Sequence, residues 1–257
     1  MSTNSSPIGV FDSGLGGITV LKELTKLMPY ENYIYLGDTK NAPYGNKSDE
    51  EIMTHSENCL RVLIEKGAKA VVIACNTATS VAAPYLRENY DLPIIGIEPA
   101  LKPAVVAHPN KKIIIMATPV TLKKEKFASL NARFGEMASI IPIPCPGLAE
   151  IIEKGCIDKE EIRSYLKNLF LPFKGDKVSA IVLGCTHYPH IADEIKNAFS
   201  YDIEIFDGAV GTTKETKRRL EESGLINTSG KKGIIEFISS LNTEEETDKM
   251  KRFFEAQ

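Results

Sequence analysis

The chain is expected to fold as an α/β protein of two similar domains with mainly parallel sheets and an active-site cleft between them. Three observations predict this. Short apolar runs alternate with helical patterns along all 257 residues, and strands that alternate with helices close into parallel sheets. The runs carry no polar interruption, as strands buried on both faces of such a sheet require. One run recurs: Ala70-Val-Val-Ile-Ala-Cys75-Asn76-Thr77 and Ala180-Ile-Val-Leu-Gly-Cys185-Thr186-His187 are near-equivalent frames 110 residues apart. The strands opening each series, near Ile8 and Ile113, lie 105 apart, which points to an old duplication. The first domain is expected over 1–97 plus 208–257, and the second over 98–207.

The first series opens with a strand at 8–11, a glycine-rich loop from Asp12 to Gly17 and a helix at 18–27, which Met28-Pro29 ends. A second strand at 33–36 leads into a polar, glycine-bounded loop from Gly37 to Gly45, and loops of this kind often carry function. Ser48 and Glu51 form a capping box for a helix whose apolar positions Ile52, Cys59, Leu60, Leu63 and Ile64 recur at helical spacing before Gly67. The Cys75 strand, a helix near 80–88 and a strand at 94–97 follow. Pro99 and Pro103 suggest a hinge. The second series runs through a strand at 112–116, a helix at 122–134, a strand at 140–143 and a Pro-rich turn at Cys145. Helices near 147–154 and from an Asp158/Glu161 capping box to 171 precede the Cys185 strand. A strand at 201–206, a charged helix, a strand near 232–238 and a helix at 243–254 complete the chain, and this tail is expected to return to the first domain.

Composition removes several function classes. A net charge of −3 with 25% charged residues gives no basic face for nucleic acid. No signal segment opens the chain and no run approaches the ~18 apolar residues of a membrane span, so a cytoplasmic protein without membrane contact is expected. Five cysteines, at 59, 75, 145, 156 and 185, form an odd set without CxxC spacing. This argues against a disulfide framework and against a zinc module. Cys59, Cys145 and Cys156 read as small buried hydrophobes.

Cys75 and Cys185 read differently, because ligands gather at the carboxyl ends of parallel strands and both thiols end such runs. Each precedes small polar residues that open a helix, where backbone amides hold a carboxylate and lower a thiol pKa. Asp12-Ser13 stands at the end of the first strand, either as a helix cap or as a carboxylate that orients a thiol or an amine. His187 is placed to exchange a proton with Cys185. His190, His108 and His55 lack ligand-like company, and no metal is expected. The Gly14, Gly16, Gly17 loop is neither GxGxxG nor a P-loop, and no GxSxG elbow occurs.

Four segments together resemble the glutamate racemase family: Gly9-Val-Phe-Asp12-Ser13-Gly-Leu-Gly-Gly, Gly37-Asp-Thr-x-x-x-Pro43-Tyr44-Gly45, Ala74-Cys75-Asn76-Thr77-Ala78 and Gly184-Cys185-Thr186-His187-Tyr-Pro. They stand in the family's order and span about residues 7 to 215. The resemblance implies an enzyme that interconverts L- and D-glutamate without a cofactor and supplies D-glutamate for bacterial peptidoglycan. Carried over by motif, Cys75 and Cys185 are the two acid/base groups, helped by Asp12 and His187 respectively. Asp12, Ser13, Pro43, Tyr44, Gly45, Asn76, Thr77, Thr186 and His187 contact the substrate. Thr118 in Ala-Thr-Pro-Val-Thr and Glu150 in Gly-Leu-Ala-Glu resemble positions lining the second-domain side. The last forty residues match the family poorly.

Racemisation needs a proton taken from one face of Cα and another delivered to the opposite face, so two bases suit it. Other readings are a racemase of the same superfamily acting on aspartate or hydantoin, and a non-catalytic amino-acid-binding or regulatory protein. Binding alone needs neither thiol, and a cysteine hydrolase needs one nucleophile, not two matched ones. A homodimer is the expected assembly.

Overall fold

Strand β1 (Ile8–Asp12) is buried along its whole length, as the apolar run before Asp12 requires. The structure, a computed structural model, describes residues 3–154 and 158–256. Cys156, expected as a buried hydrophobe, lies outside the described residues. From β1 the chain continues through α1 (Ile18–Leu27), β2 (Tyr33–Gly37), α2 (Asp49–Glu65), β3 (Ala70–Ile73), α3 (Asn76–Asn89) and β4 (Ile94–Gly96). Then come α4 (Leu101–Ala107), β5 (Lys112–Ala117), α5 (Pro119–Lys123), α6 (Glu125–Phe134), β6 (Ser139–Pro144) and α7 (Leu148–Glu153). The chain goes on through α8 (Lys159–Phe170), β7 (Val178–Leu183), α9 (Ala192–Asn197) and β8 (Glu204–Asp207), and closes with α10 (Ala209–Glu222), β9 (Ile235–Ser239) and α11 (Glu244–Glu255). It divides into two compact units: one runs to Glu98 and resumes from Ala209, and the other is Pro99–Gly208.

In the first unit the sheet order is β4-β3-β1-β2-β9, with every pairing parallel. The second has order β6-β5-β7-β8, again all parallel. Side chains alternate across a strand, and in the second sheet this sorts the core into two layers. Ile114, Met116, Ile181 and Leu183 pack with α7, α8 and α9, whereas Ile113, Ile115, Ala180 and Val182 pack with α4 and α6. In the first unit Ile8, Val10, Tyr35 and Val72 share a cluster with Leu21, Leu220 and Met250 of α1, α10 and α11. The opposite face meets α2 so closely that a Cβ on Gly9 would lie 2.9 Å from Leu63. Fully burying one such Leu or Ile is worth about 1.5–3 kcal/mol, so helices on both faces explain why the middle of these strands is mainly apolar.

Local signals and structure agree at α2, where Ser48 accepts the Glu51 amide at 3.2 Å and Glu51 accepts the Ser48 amide at 2.9 Å. They part elsewhere. Helix α3 starts at Asn76, where the polar residues after Cys75 open it, and so ahead of the 80–88 range; the Cys75 sulfur itself caps it by accepting the Ala78 amide at 3.4 Å. The single helix expected at 122–134 is two, broken where Lys124 adopts ψ 146°. The expected hinge at Pro99 and Pro103 contains helix α4, since Pro103 falls in the first helical turn where its missing N–H costs nothing. The helix expected to open at Thr186 begins later, as α9 from Ala192, after a single tight turn over Tyr188–Ile191.

Candidate active site

Both sheets are doubly wound, and each has one place where the winding reverses. From β1 the chain goes to β2 on one side and then to β3 on the other; from β5 it goes to β6 and then to β7. Ligands of open parallel sheets bind outside the carboxyl ends of the strands at such points. Asp12 and Cys75 end β1 and follow β3, flanking the first switch point. Thr118 and Cys185 follow β5 and β7, flanking the second. Topology thus gives the two matched cysteines equivalent places.

At the first point Asp12 is fully buried, and its Oδ1 accepts the Gly14 amide at 2.8 Å. Gly17 lets α1 begin directly against the sheet, because a Cβ there would lie 2.6 Å from Cβ of Asp12 and 2.9 Å from that of Ala74. Cys75 is 6% exposed, and its Sγ–H points to Ser13 Oγ at 3.8 Å. The start of α3 aims the Ala78 amide at the sulfur, an arrangement that favours negative charge there. Ser13, Asn76 and Thr77 are buried around it, and Asn76 Oδ1 has no hydrogen-bond partner. A buried acceptor left so is costly unless a ligand supplies the donor.

The 38–45 loop closes this group. The Asp38 amide donates to the Asp12 carbonyl at 2.9 Å, Asn41 Nδ2 donates to both Asp38 carboxylate oxygens, and the Tyr44 hydroxyl donates to Asp38 Oδ2 at 2.6 Å. Burial first, then the charges of Cys59, Asp38 and Cys75, raises the Tyr44 pKa far above the ordinary phenol value, so it stays a donor. Pro43 and Gly45 flank it, half-buried, and the Ala42–Pro43 peptide is cis. Asp38 stood inside the quoted motif without being read as a site residue; a carboxylate directly after a buried strand was the available signal.

At the second point Cys185, Thr186 and His187 are all buried, and His187 Nδ1 lies 3.6 Å from Cys185 Sγ. Its other nitrogen, Nε2, meets Glu153 Oε2 of α7 at 2.5 Å. Glu153, which no sequence motif marks, stands three residues beyond Glu150 on α7, where i,i+3 spacing shares a face. Glu150 is half-buried on the same helix. Thr118 caps α5 by accepting the Thr121 amide at 3.2 Å. Cys145 is buried, and burial first, then the nearby Cys185 charge, pushes its thiol up to about 12. It follows β6, which β5 separates from β7, so its backbone is roughly 10 Å from that of Cys185 and out of disulfide reach. Among the described residues no group of three or more His, Cys, Asp or Glu side chains converges to hold a metal.

Burial alone would lower the His187 pKa, but the hydrogen bonds and charges of Cys185 and Glu153 outweigh it and raise the value well above 6.5. Between 6.5, the ordinary histidine value, and that raised value the folded chain binds one more proton than the unfolded chain, so stability falls as pH rises through this window. Glu153→Gln removes one source of the shift. Its unfolding free energy, followed by urea titration from pH 6 upward, is expected to decline less steeply than that of the wild type. Parallel curves for the two proteins would refute the assignment.

A doubly wound parallel sheet with a thiol at its switch point, present twice in one chain, defines a two-unit α/β protein with two equivalent candidate sites. The comparisons give its family. The family model for Asp/Glu/Hydantoin racemase matches residues 16–216. A glutamate racemase from Clostridium perfringens is 50% identical over 252 residues, 98% of this chain and 97% of that one, and one from Clostridium botulinum is 49% identical over the full length of both. Among solved structures, a glutamate racemase isoform from Bacillus anthracis superposes with TM-score 0.87 at 28% identity, over 99% of this chain and 96% of that one. The enzyme from Francisella tularensis, in complex with D-glutamate, superposes with TM-score 0.84 at 28% identity, over 99% and 95%. The chain belongs to the Asp/Glu/hydantoin racemase family, and within it to the glutamate racemases. Among the described residues no helix is long and apolar enough to cross a membrane.

Proposed function

We propose that this chain interconverts L- and D-glutamate by two-base proton transfer at Cα, with Cys75 serving one face and Cys185 the other. The observation that supports this most directly is the equivalent placing of the two thiols at the two switch points. In one direction the Cys75 thiolate takes the α-proton of D-glutamate and becomes a thiol. The carbanionic carbon then takes a proton from the Cys185 thiol, which becomes a thiolate, and L-glutamate is released. The reverse reaction exchanges the roles.

The α-proton is weakly acidic, so the developing charge must be met by fixed dipoles. The amides opening α3, with Ser13, Thr77 and Thr186, are suited to the α-carboxylate, and Asp12 and Asn76 Oδ1 to the ammonium. Asp12 assists Cys75, and the His187–Glu153 pair assists Cys185. Pro43, Tyr44 and Gly45 contact the substrate from the 38–45 loop, and Thr118 and Glu150 from the second unit. The product supplies peptidoglycan synthesis in the cytoplasm, and the enzyme acts as a homodimer.

Incubated with L-glutamate in deuterium oxide without added cofactor, the protein is expected to form D-glutamate labelled at Cα, and the reverse holds for D-glutamate. Unlabelled product, or a strict requirement for pyridoxal phosphate, would overturn the mechanism.

A further inference from the structure

The C-terminal segment, which the motifs left unexplained, grips the loop that carries Asp38 and Tyr44. Strand β9 pairs with β2 at the sheet edge, ending with Ser239 beside Gly37. The turn that follows makes three contacts. Ser239 Oγ and Thr39 Oγ1 are 2.6 Å apart, the Lys40 amide donates to Ser240 Oγ at 3.0 Å, and the Ser240 amide donates to the Gly37 carbonyl at 3.0 Å. The turn is itself held in shape. The Leu241 amide donates to Ser239 Oγ at 3.1 Å, and Asn242, in the left-handed region at φ 54°, donates its amide to the Ser239 carbonyl at 2.9 Å. Ser239 is 3% exposed. Its Oγ accepts the Leu241 amide and keeps one hydrogen and one lone pair for Thr39, so either hydroxyl of the pair can donate.

Behind the turn, Met250 of α11 fills the space beside Gly37. A Cβ at Gly37 would come within 2.4 Å of the Met250 methyl and 2.9 Å of the Gly14 carbonyl oxygen. Gly14 is the residue whose amide Asp12 accepts and whose carbonyl takes the Tyr35 hydroxyl at 2.7 Å. The segment therefore abuts Gly37, which in turn packs against the Gly14 carbonyl of the Asp12–Gly17 loop. Thr39 adjoins Asp38, and Asp38 holds Tyr44, so a shift at Thr39 is passed to the tyrosine through one side chain.

We infer that Ser239 is a positioning residue: through Thr39 it holds the 38–45 loop in its substrate-receiving conformation, and β9 with α11 serve binding as well as packing. This rests on the reading that the loop contacts glutamate. KM and kcat for L-glutamate are to be measured for the wild type, Ser239→Ala, Thr39→Val and the double variant, alongside amide exchange over residues 38–46. Losing one hydrogen bond predicts a KM raised about fivefold in each single variant, with kcat within about twofold. The double variant is expected to be no worse than either single, and Thr39→Ser to keep the wild-type KM. Exchange over 38–46 quickens in the singles, with or without substrate. If Ser239→Ala does not fold, Thr39→Val removes the same contact from the more exposed side. Unchanged KM and exchange in a folded single variant, or effects that multiply in the double, overturn the inference. A wild type without racemisation defeats the proposed function instead, and loop exchange still reads the clamp.

Discussion

Cys75→Ala and Cys185→Ala are each expected to lower kcat for racemisation in both directions by roughly 10²- to 10⁴-fold, the range a positioned acid or base contributes. Both are expected to do so because each turnover uses both thiols, one as base and the other as acid, whichever enantiomer is bound. Neighbours cannot substitute. Cys145 is held protonated near 12, and burial raises Cys59 further still. Cys75→Ser and Cys185→Ser are expected to fall nearly as far, since a hydroxyl is a much poorer base at neutral pH. Progress curves by circular dichroism from each enantiomer check this. Ordinary turnover in both alanine variants would end the two-thiol mechanism.

Lys69→Met is expected to destabilise the fold by about 3–5 kcal/mol, the cost of leaving one member of a buried ion pair alone. The pair is Lys69 Nζ on Glu31 Oε2 at 2.5 Å, with side chains 0% and 1% exposed. The same ammonium donates to the Asn4 carbonyl, and Glu31 Oε1 accepts the Asn227 amide at 2.7 Å. Three distant parts of the chain thus meet at two charges: the N-terminal lead, the turn before β2 and the connection between α10 and β9. Burial lowers the Lys69 pKa, against the pull of Glu31, which shows that the site holds charge at a cost. Methionine keeps the apolar stem and removes the ammonium, leaving the carboxylate buried without its counter-charge. The double variant Lys69→Met/Glu31→Leu is expected to recover most of the loss, because it removes the orphaned charge as well. Urea midpoints at constant slope give the comparison. A single variant within about 1 kcal/mol of the wild type would contradict the assignment.

The strands were readable because two-sided burial leaves its mark on nearly every residue of β1, β3, β5 and β7. Motif glycines were readable for a similar reason, Gly17 and Gly37 standing where a Cβ would meet neighbouring atoms. Helix starts were less readable. Cys75 caps α3 with sulfur, and sulfur is not among the residues that mark a helix N-terminus in sequence. Pro103 looked like a break and proved to be a first-turn residue of α4. In the site, Cys185 and His187 are two residues apart and announce each other. Glu153 lies thirty-four residues before His187, and only the packing of α7 near the end of β7 brings them together.

Sequence was sufficient for whatever depends on neighbours along the chain: strand burial, the capping box of α2, the matched cysteine frames and the thiol–histidine pair. Packing decided what depends on residues distant in sequence. It made Glu153 the partner of His187, set Lys69 against Glu31, and placed the last strand and helix against the loop of Asp38 and Tyr44. The physical reason is the range of the information. A strand's burial or a cap is a property of a few consecutive residues, whereas a hydrogen bond between residues 39 and 239 exists only after the sheet has chosen its edge.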